Sequence, residues 1–167
     1  MGESAEILIV DYDRSTPRAF NGMLAPGYHV RTACSNAEAM AMAPSSDLIV
    51  MIASERKREC VKLMEALRNK SDVLVNFIVV LGGSDDQAFM DRIDGLTFQS
   101  LRKGHFSPKE LAKAIHNAVE MKGLKVREKR FVEDLDRIED ELKRVEHRLY
   151  TISSIKSLAA REGPFLN

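Results

Sequence analysis

The sequence predicts an α/β fold in which five β–α units are followed by a long C-terminal helix. Three observations lead to this prediction. Short apolar segments recur five times before residue 122, helix-start signals separate them, and a heptad pattern of apolar residues appears after residue 124. Strands that alternate with helices along a chain form a parallel sheet covered by those helices. The N-terminal part is therefore expected to be one layered α/β domain.

The predicted strands are the apolar segments 6–10, 28–33, 47–52, 75–81 and 96–101. The first four are short, contain β-branched residues and do not alternate with polar residues. Such runs are typical of strands buried on both faces of a parallel sheet. The fifth, 96–101, mixes apolar and polar residues, and we expect it at an edge of the sheet.

Helix starts are predicted where a capping hydroxyl is followed three residues later by Glu or Gln. The pairs are Ser35 with Glu38, Ser84 with Gln87, and Ser107 with Glu110. Pro108 occupies the first helical position, where its missing N–H has no consequence. Thr16 followed by Pro17 predicts the start of the first helix in the same way. The signals fall where the alternation of strands and helices requires them.

The composition excludes several functions. Lys plus Arg and Asp plus Glu each number 25, so the formal net charge is zero, and no electrostatic attraction to nucleic acid or an anionic membrane is expected. The sequence does not start with a basic segment followed by a long apolar stretch, so we expect no signal peptide, and no apolar segment reaches the length needed to cross a membrane. Cys34 and Cys60 lack the spacing of metal ligands and are compatible with a reducing compartment. We therefore expect a cytoplasmic protein without a structural metal.

After Leu124 the apolar residues follow a heptad repeat. Seven residues define this seam, with alternating spacings of three and four: Phe131, Leu135, Ile138, Leu142, Val145, Leu149 and Ile152. This pattern predicts a coiled coil. A helix packed back on its own domain is the alternative. The predicted organisation is a domain at 1–122, a helix at 123–162 and a tail at 163–167.

Five segments of the domain resemble the receiver domain of bacterial two-component response regulators. They are ILIVDYD at 7–13, GYHVRTACSNAEAM at 27–40, DLIVMIA at 47–53, FIVVLGG at 77–83 and FSPKELAKAI at 106–115. The resemblance covers roughly residues 5–122. It implies a flavodoxin-like, doubly wound sheet of five parallel strands in the order 2-1-3-4-5.

The resemblance also implies where a phosphorylation site would lie. In the family, two adjacent acids hold Mg²⁺, an aspartate accepts the phosphoryl group, a Ser or Thr binds it and a lysine neutralises it. Asp11 matches the first acid, but Tyr12 replaces the second, Ile52 replaces the acceptor and Gly82 replaces the hydroxyl residue. The position of the family's lysine is ambiguous. Counting forward from Gly95 gives Arg102, counting back from Phe106 gives Gly104, and Lys103 lies between these two residues. Asp11 and Asp13 remain as a remnant acidic pocket, and Gly82 and Lys103 as remnant phosphate-side positions.

Phosphoryl transfer needs an oxygen nucleophile and a metal that clamps the phosphoryl oxygens. Ile52 offers neither. Ser54 and Glu55, in the loop after the third strand, are the two residues that could replace it as acceptor. Weak binding of Mg²⁺ by Asp11 and Asp13 is the one cofactor interaction that stays open, although two or three loosely held acids make a poor magnesium site. The sequence predicts no catalytic residue, no metal site and no other cofactor.

We expect a pseudo-receiver, which is a protein-interaction module of two-component signalling and not an enzyme. It is expected to bind protein partners and to form homo-oligomers through the C-terminal helix, which could instead pair with a different protein. The final helix, the fifth strand and the preceding helix form the usual docking face of the family, here with Phe89, Met90, Phe98 and Phe106. The alternatives are a receiver with a displaced phosphoacceptor, or a fragment of a longer receiver–helix–effector protein. About forty residues follow Gly123, too few for an output domain.

Overall fold

The computed structural model describes residues 4–12, 14, 24, 27–70, 75–83, 87–161 and 163. Its strands are β1 (Ala5–Val10), β2 (Tyr28–Ala33), β3 (Leu48–Ala53), β4 (Asn76–Leu81) and β5 (Gln99–Arg102). Its helices are α1 (Asn36–Met42), α2 (Lys57–Arg68), α3 (Gln87–Asp94) and α4 (Pro108–Arg161), with a 3₁₀ turn at Ala43–Ser45. The helix start predicted at Thr16 and the capping hydroxyl of Ser84 lie outside the described residues.

The five strands form one parallel sheet in the order β2-β1-β3-β4-β5, which confirms the predicted fold. β1 pairs with both β2 and β3, so the strand order reverses beside β1. In open α/β sheets the carboxyl edge beside such a reversal is where ligands bind. The fold therefore brings the carboxyl ends of β1 and β3 to the expected site position.

Successive residues of the central strands point to opposite faces of the sheet. On β3, Ile49, Met51 and Ala53 join the apolar layer covered by α1, α2 and α3. Leu48, Val50 and Ile52 join the other layer, which packs against the first turns of α4. All six residues of β3 are buried, as expected for an interior strand.

Two strand predictions need correction. β2 lies at the edge of the sheet and only Ala33 of its six residues is buried, so the prediction of a strand buried on both faces is wrong for 28–33. β5 begins at Gln99, three residues after the predicted start at Leu96. Leu96 and Phe98 pack against the core from the segment before β5. Apolar character alone does not distinguish a strand from a loop that also contributes to a core.

The capping boxes that lie in the described residues form as predicted. The Ser35 hydroxyl accepts a hydrogen bond from the Glu38 amide at 3.2 Å, and the Ser107 hydroxyl accepts one from the Glu110 amide at the same distance. The Glu110 carboxylate accepts the Ser107 amide in return at 2.6 Å. This backbone hydrogen bond lowers the pKa of Glu110. Helix α4 thus begins with a reciprocal cap.

The last helix is continuous from Pro108 to Arg161 and passes through Gly123 without a break. A Cβ added at Gly123 would meet no atom within 4 Å. By its internal contacts the chain divides into two units, Met1–Leu124 and Lys125–Asn167, so the division falls inside α4. The expected boundary at 122 also falls inside this helix. None of the helices in the described ranges is long and apolar enough to span a membrane.

Candidate functional site

The carboxyl edge of the sheet brings together the positions that the sequence singled out. Val10 of β1 pairs with Met51 of β3, so the next residues on these strands are Asp11 and Ile52. The amide of Gly82 donates to the carbonyl of Ala53 at 3.0 Å. Strand pairing thus places Asp11, Ile52 and Gly82 along one edge. They occupy the positions that the resemblance implies for metal, acceptor and hydroxyl.

Lys103 lies at the same edge, directly after β5. Its amide donates to the Leu81 carbonyl at 2.8 Å, which continues the β4–β5 ladder by one residue. Gly104 follows with a φ of +82°, a conformation that L side chains rarely adopt, so glycine suits this turn. The lysine side chain itself is exposed to solvent.

Ile52 is part of the apolar core at the acceptor position. Its exposed fraction is 4%, and it belongs to the layer that contains Val50, Val80 and Leu24. An aliphatic side chain therefore lies where the resemblance implies a carboxylate. The residue at the position that the resemblance implies for the acceptor is therefore a packed core residue.

Tyr12 lies at the position that the resemblance implies for the second metal-binding acid, and it is held in place by its neighbours. Its hydroxyl donates to Oδ1 of Asn36 at 2.5 Å, and the Arg56 guanidinium lies 6.0 Å from its ring centroid. Burial, together with the nearby Cys60 and Glu59, raises the pKa of the Tyr12 hydroxyl above its ordinary value. The phenol stays neutral at physiological pH and offers a metal no anionic oxygen.

The described part of the acidic pocket does not by itself form a magnesium site. Asp11 is 1% exposed, and its amide donates to the Ala33 carbonyl at 3.0 Å. Asp13 lies outside the described residues. Within the described ranges no three His, Cys, Asp or Glu side chains are grouped closely enough to hold a metal ion. Mg²⁺ needs near-octahedral oxygen ligation, and the two described side chains, the Asp11 carboxylate and the neutral phenol of Tyr12, do not provide it by themselves.

Gly82 and Ser54 form a close contact that the sequence does not reveal. A Cβ added to Gly82 would stand 2.8 Å from Oγ of Ser54 and 3.4 Å from its Cα. The Ser54 hydroxyl thus occupies the space beside β4 where the side chain of a Ser or Thr would begin. A hydroxyl is present on this side of the edge, but it comes from the loop after β3. Glu55, which follows Ser54 in that loop, is exposed.

Asp47 has a structural role at the opposite edge of the sheet. Its Oδ2 accepts the Glu6 amide at 2.8 Å, and its Oδ1 accepts the Lys122 ammonium at 3.0 Å. The same ammonium donates to the Ser46 carbonyl at 2.8 Å. These bonds tie α4 to the amino ends of β1 and β3. The acid that opens β3 is therefore not available to the carboxyl edge.

The expected docking face is only partly available. Phe89 is 5% exposed, and Met90, Phe98 and Phe106 are partly buried against the two core layers. An open groove of about 430 Å³ lies between β5 and α4. Arg102, His105 and Lys113 line it together with Glu110. The exposed part of the expected docking face is therefore this polar groove, whereas the aromatic residues named from the sequence pack in the core.

The heptad seam of α4 is exposed in the single chain. The seven predicted seam residues have exposed fractions from 49% at Leu135 and Ile152 to 65% at Phe131. Met121 and Leu124 follow the same spacing on the other side of Glu128, which interrupts the apolar residues, and are 39% and 52% exposed. An apolar stripe of this length on a helix surface is unusual in a monomer. The seam is therefore a candidate association surface.

No protein-family model matches the sequence, and a search of curated proteins also gives no match. Solved structures do match. A signal receiver domain of an HD domain-containing protein from Pseudomonas fluorescens Pf-5 superposes with a TM-score of 0.67 at 18% identity, covering 76% of this chain and 95% of that one. A response regulator receiver domain from Clostridium thermocellum gives 0.62 at 22% identity, covering 72% and 98%.

A third match includes a coiled coil. It is a fusion that carries amino acids 181–211 of the yeast Spc42 trimeric coiled coil, with a TM-score of 0.61 at 20% identity. It covers 87% of this chain and 99% of that chain. At such identities the similarity establishes the fold and not the activity. The chain therefore has the fold of a response regulator receiver domain, followed by a long C-terminal helix.

Proposed function

We propose that this chain is a pseudo-receiver, a module of two-component signalling that acts by binding proteins and takes no phosphoryl group. The observation that carries the proposal is the burial of Ile52 at the acceptor position, where its exposed fraction is 4%. Transfer to a protein needs an oxygen nucleophile in line with the donor and a metal on the phosphoryl oxygens. A packed aliphatic side chain provides neither.

Two further features support the loss of phosphorylation. Tyr12 holds a neutral phenol where a metal-binding acid is expected, and its hydroxyl is already bonded to Asn36. Gly82 has no hydroxyl, and the adjacent space is taken by Ser54. A single substitution at any one of these positions would leave the other two unchanged. The site is thus several changes away from a working acceptor.

Intact-protein mass spectrometry after incubation with acetyl phosphate and Mg²⁺ tests this proposal. We expect no mass increase, under conditions in which a phosphorylatable receiver domain gains one phosphoryl group. A stoichiometric increase would overturn the pseudo-receiver assignment.

A receiver with a displaced acceptor is the second candidate, and the position of Ser54 is the observation that favours it. Its hydroxyl lies at the carboxyl edge beside Gly82, close to the acceptor position. The same mass measurement on Ser54→Ala identifies this case. Phosphorylation of the natural chain that disappears in Ser54→Ala and persists in Glu55→Gln would establish Ser54 as the acceptor.

We further propose that the chain forms homo-oligomers through the seam of α4. Leu135, Leu142 and Leu149 are each about half exposed or more in the single chain. Burying a leucine side chain contributes roughly 1.5–3 kcal/mol, and a partner helix would bury all three. The match to a fusion carrying a trimeric coiled coil is compatible with assembly through such a helix.

Light scattering on two matched variants tests the assembly. Leu142→Glu places a carboxylate in the seam, whereas His147→Glu places the same residue on the outer face of the heptad. We expect Leu142→Glu to shift the mass toward the monomer and His147→Glu to leave the oligomer intact. A natural chain that is monomeric at all concentrations would refute self-association.

A further inference from the structure

The seam of α4 carries a charged residue at each end. Glu128 lies seven residues before Leu135, and Lys156 lies seven residues after Leu149, so both occupy the same heptad position as these leucines. Both are helical and exposed in the single chain. In a parallel, in-register pair each seam residue meets its own copy. Glu128 would then face Glu128 and Lys156 would face Lys156.

The residues that flank the seam also oppose a parallel pair. With the leucines at position a, Asp134 and Glu141 occupy position g, and Glu139 and Glu146 occupy position e. A parallel pair sets each g residue against the e residue five positions later on the other helix. Asp134 would face Glu139 and Glu141 would face Glu146, on both sides of the seam. None of these four contacts is attractive.

An antiparallel pair separates these like-charged residues, although it brings Glu139 near Glu146 of the other copy. With Leu142 opposite Val145 of the other copy, Leu135 meets Ile152 and Ile138 meets Leu149, as the spacing of the seam requires. Each contact occurs twice because the two copies are related by symmetry. Six apolar layers therefore form between Leu135 and Ile152, which span 18 residues or about 27 Å of helix.

The charges fit this alignment better than a parallel one. Glu141 comes within one turn of Arg148 of the other copy, and symmetry makes this two attractive contacts. They offset the two repulsive contacts between Glu139 and Glu146 of the two copies. Lys156 meets Phe131, where its aliphatic stem can pack while the ammonium reaches water. A shift of one heptad toward the amino end would instead set Glu128 against Ile152, which would bury a carboxylate against an aliphatic side chain.

We infer that a second copy of this chain packs antiparallel on the α4 seam, with Leu142 opposite Val145 of that copy. The inference rests on the proposed self-association and names its geometry. Leu at a with Ile at d also disfavours two-stranded parallel coils. The four like-charge contacts of the parallel form together give about a tenfold bias, which corresponds to about 1.4 kcal/mol.

Disulfide trapping tests the orientation in the full chain, with the half-exposed Cys34 replaced by Ser. Chains carrying Leu135→Cys and chains carrying Ile152→Cys are mixed, allowed to exchange and oxidised. We expect the mixed disulfide to exceed the disulfide between two Leu135→Cys chains by about tenfold. Equal or preferred pairing of two Leu135→Cys chains would overturn the antiparallel arrangement.

A second mixture, Leu135→Cys with Val145→Cys, tests the alignment. Efficient trapping in this mixture would show the pair shifted by one heptad and refute the proposed register.

The substitution Arg148→Glu gives a readout without cysteines. In the antiparallel pair it converts two attractive contacts with Glu141 into repulsive ones, so the oligomer should dissociate at a higher protein concentration in light scattering. In a parallel pair Arg148 faces Ser153 and makes no such contact. The relief of repulsion from Arg144 acts within each helix in either arrangement and in the single chain, so it contributes little to dissociation. An unchanged or lower dissociation concentration would therefore contradict the inference. A natural chain that is monomeric in light scattering would instead refute the self-association itself. Failure of the antiparallel geometry and failure of the proposed self-association are thus distinguishable.

Discussion

The substitution Ile52→Asp tests whether the acceptor position is closed by packing. The side chain is 4% exposed and lies in the layer that contains Val50 and Val80. Replacing it removes roughly 1.5–3 kcal/mol of apolar burial. The introduced carboxylate also loses solvation, beside the neighbouring strand end at Asp11, at a cost of about 1–3 kcal/mol. We expect the free energy of unfolding at pH 7 to fall by about 3–5 kcal/mol.

Comparison with the variant Ile52→Asn separates the effect of charge from that of polarity, because Asp and Asn side chains have nearly the same shape. Burial raises the pKa of the introduced carboxyl above its unfolded value of about 3.9. Below both pKa values the carboxyl is neutral in both states, and the charge penalty is absent. The penalty appears as the pH rises above the unfolded pKa and is complete above the folded pKa. Ile52→Asp should therefore lose stability relative to Ile52→Asn with rising pH.

Urea denaturation of both variants between pH 4 and pH 8, followed by circular dichroism, measures this difference. Equal free energies of unfolding over the whole range would show that the carboxylate is solvated, and the expectation from burial would be wrong. Repeating the denaturation of Ile52→Asp with Mg²⁺ tests the metal site, because a ligand that binds only the folded state stabilises it. We expect no stabilisation of Ile52→Asp by Mg²⁺. A clear Mg²⁺-dependent increase would show that one substitution restores the metal site.

Three further substitutions test individual hydrogen bonds of the domain. Tyr12→Phe removes the hydroxyl bonded to Asn36 at 2.5 Å and should lower stability by about 0.5–1.5 kcal/mol in urea denaturation; no change would show that water replaces the bond without loss. Ser107→Ala removes the α4 cap and should lower the free energy of unfolding by about 1 kcal/mol, whereas Ser107→Asp should retain most of it. Asn76→Ala removes a buried amide that donates to the Ala118 carbonyl at 2.7 Å. We expect this loss to loosen α4 and to speed its amide hydrogen exchange, and slower exchange would contradict this expectation.

The sequence alone determined the number and type of the described strands, the capping boxes at Ser35 and Ser107, and the heptad seam. These features depend on residues within a few positions of one another, so their physical causes can be read from local spacing. The strand order followed from the resemblance to receiver domains and is confirmed. The resemblance also indicated Ile52 as the residue at the acceptor position. Its burial agrees with the apolar character of β3.

The tertiary structure alone decided how distant residues meet. The contacts of Tyr12 with Asn36, of Gly82 with Ser54 and of Asp47 with Lys122 join residues on different elements. They depend on strand register and on where each helix crosses the sheet, which no local pattern specifies. The start of β5 was misplaced for a related reason, since loop residues before it also pack in the core. The resemblance to receiver domains therefore identified the altered positions, and only the packing showed what now fills them.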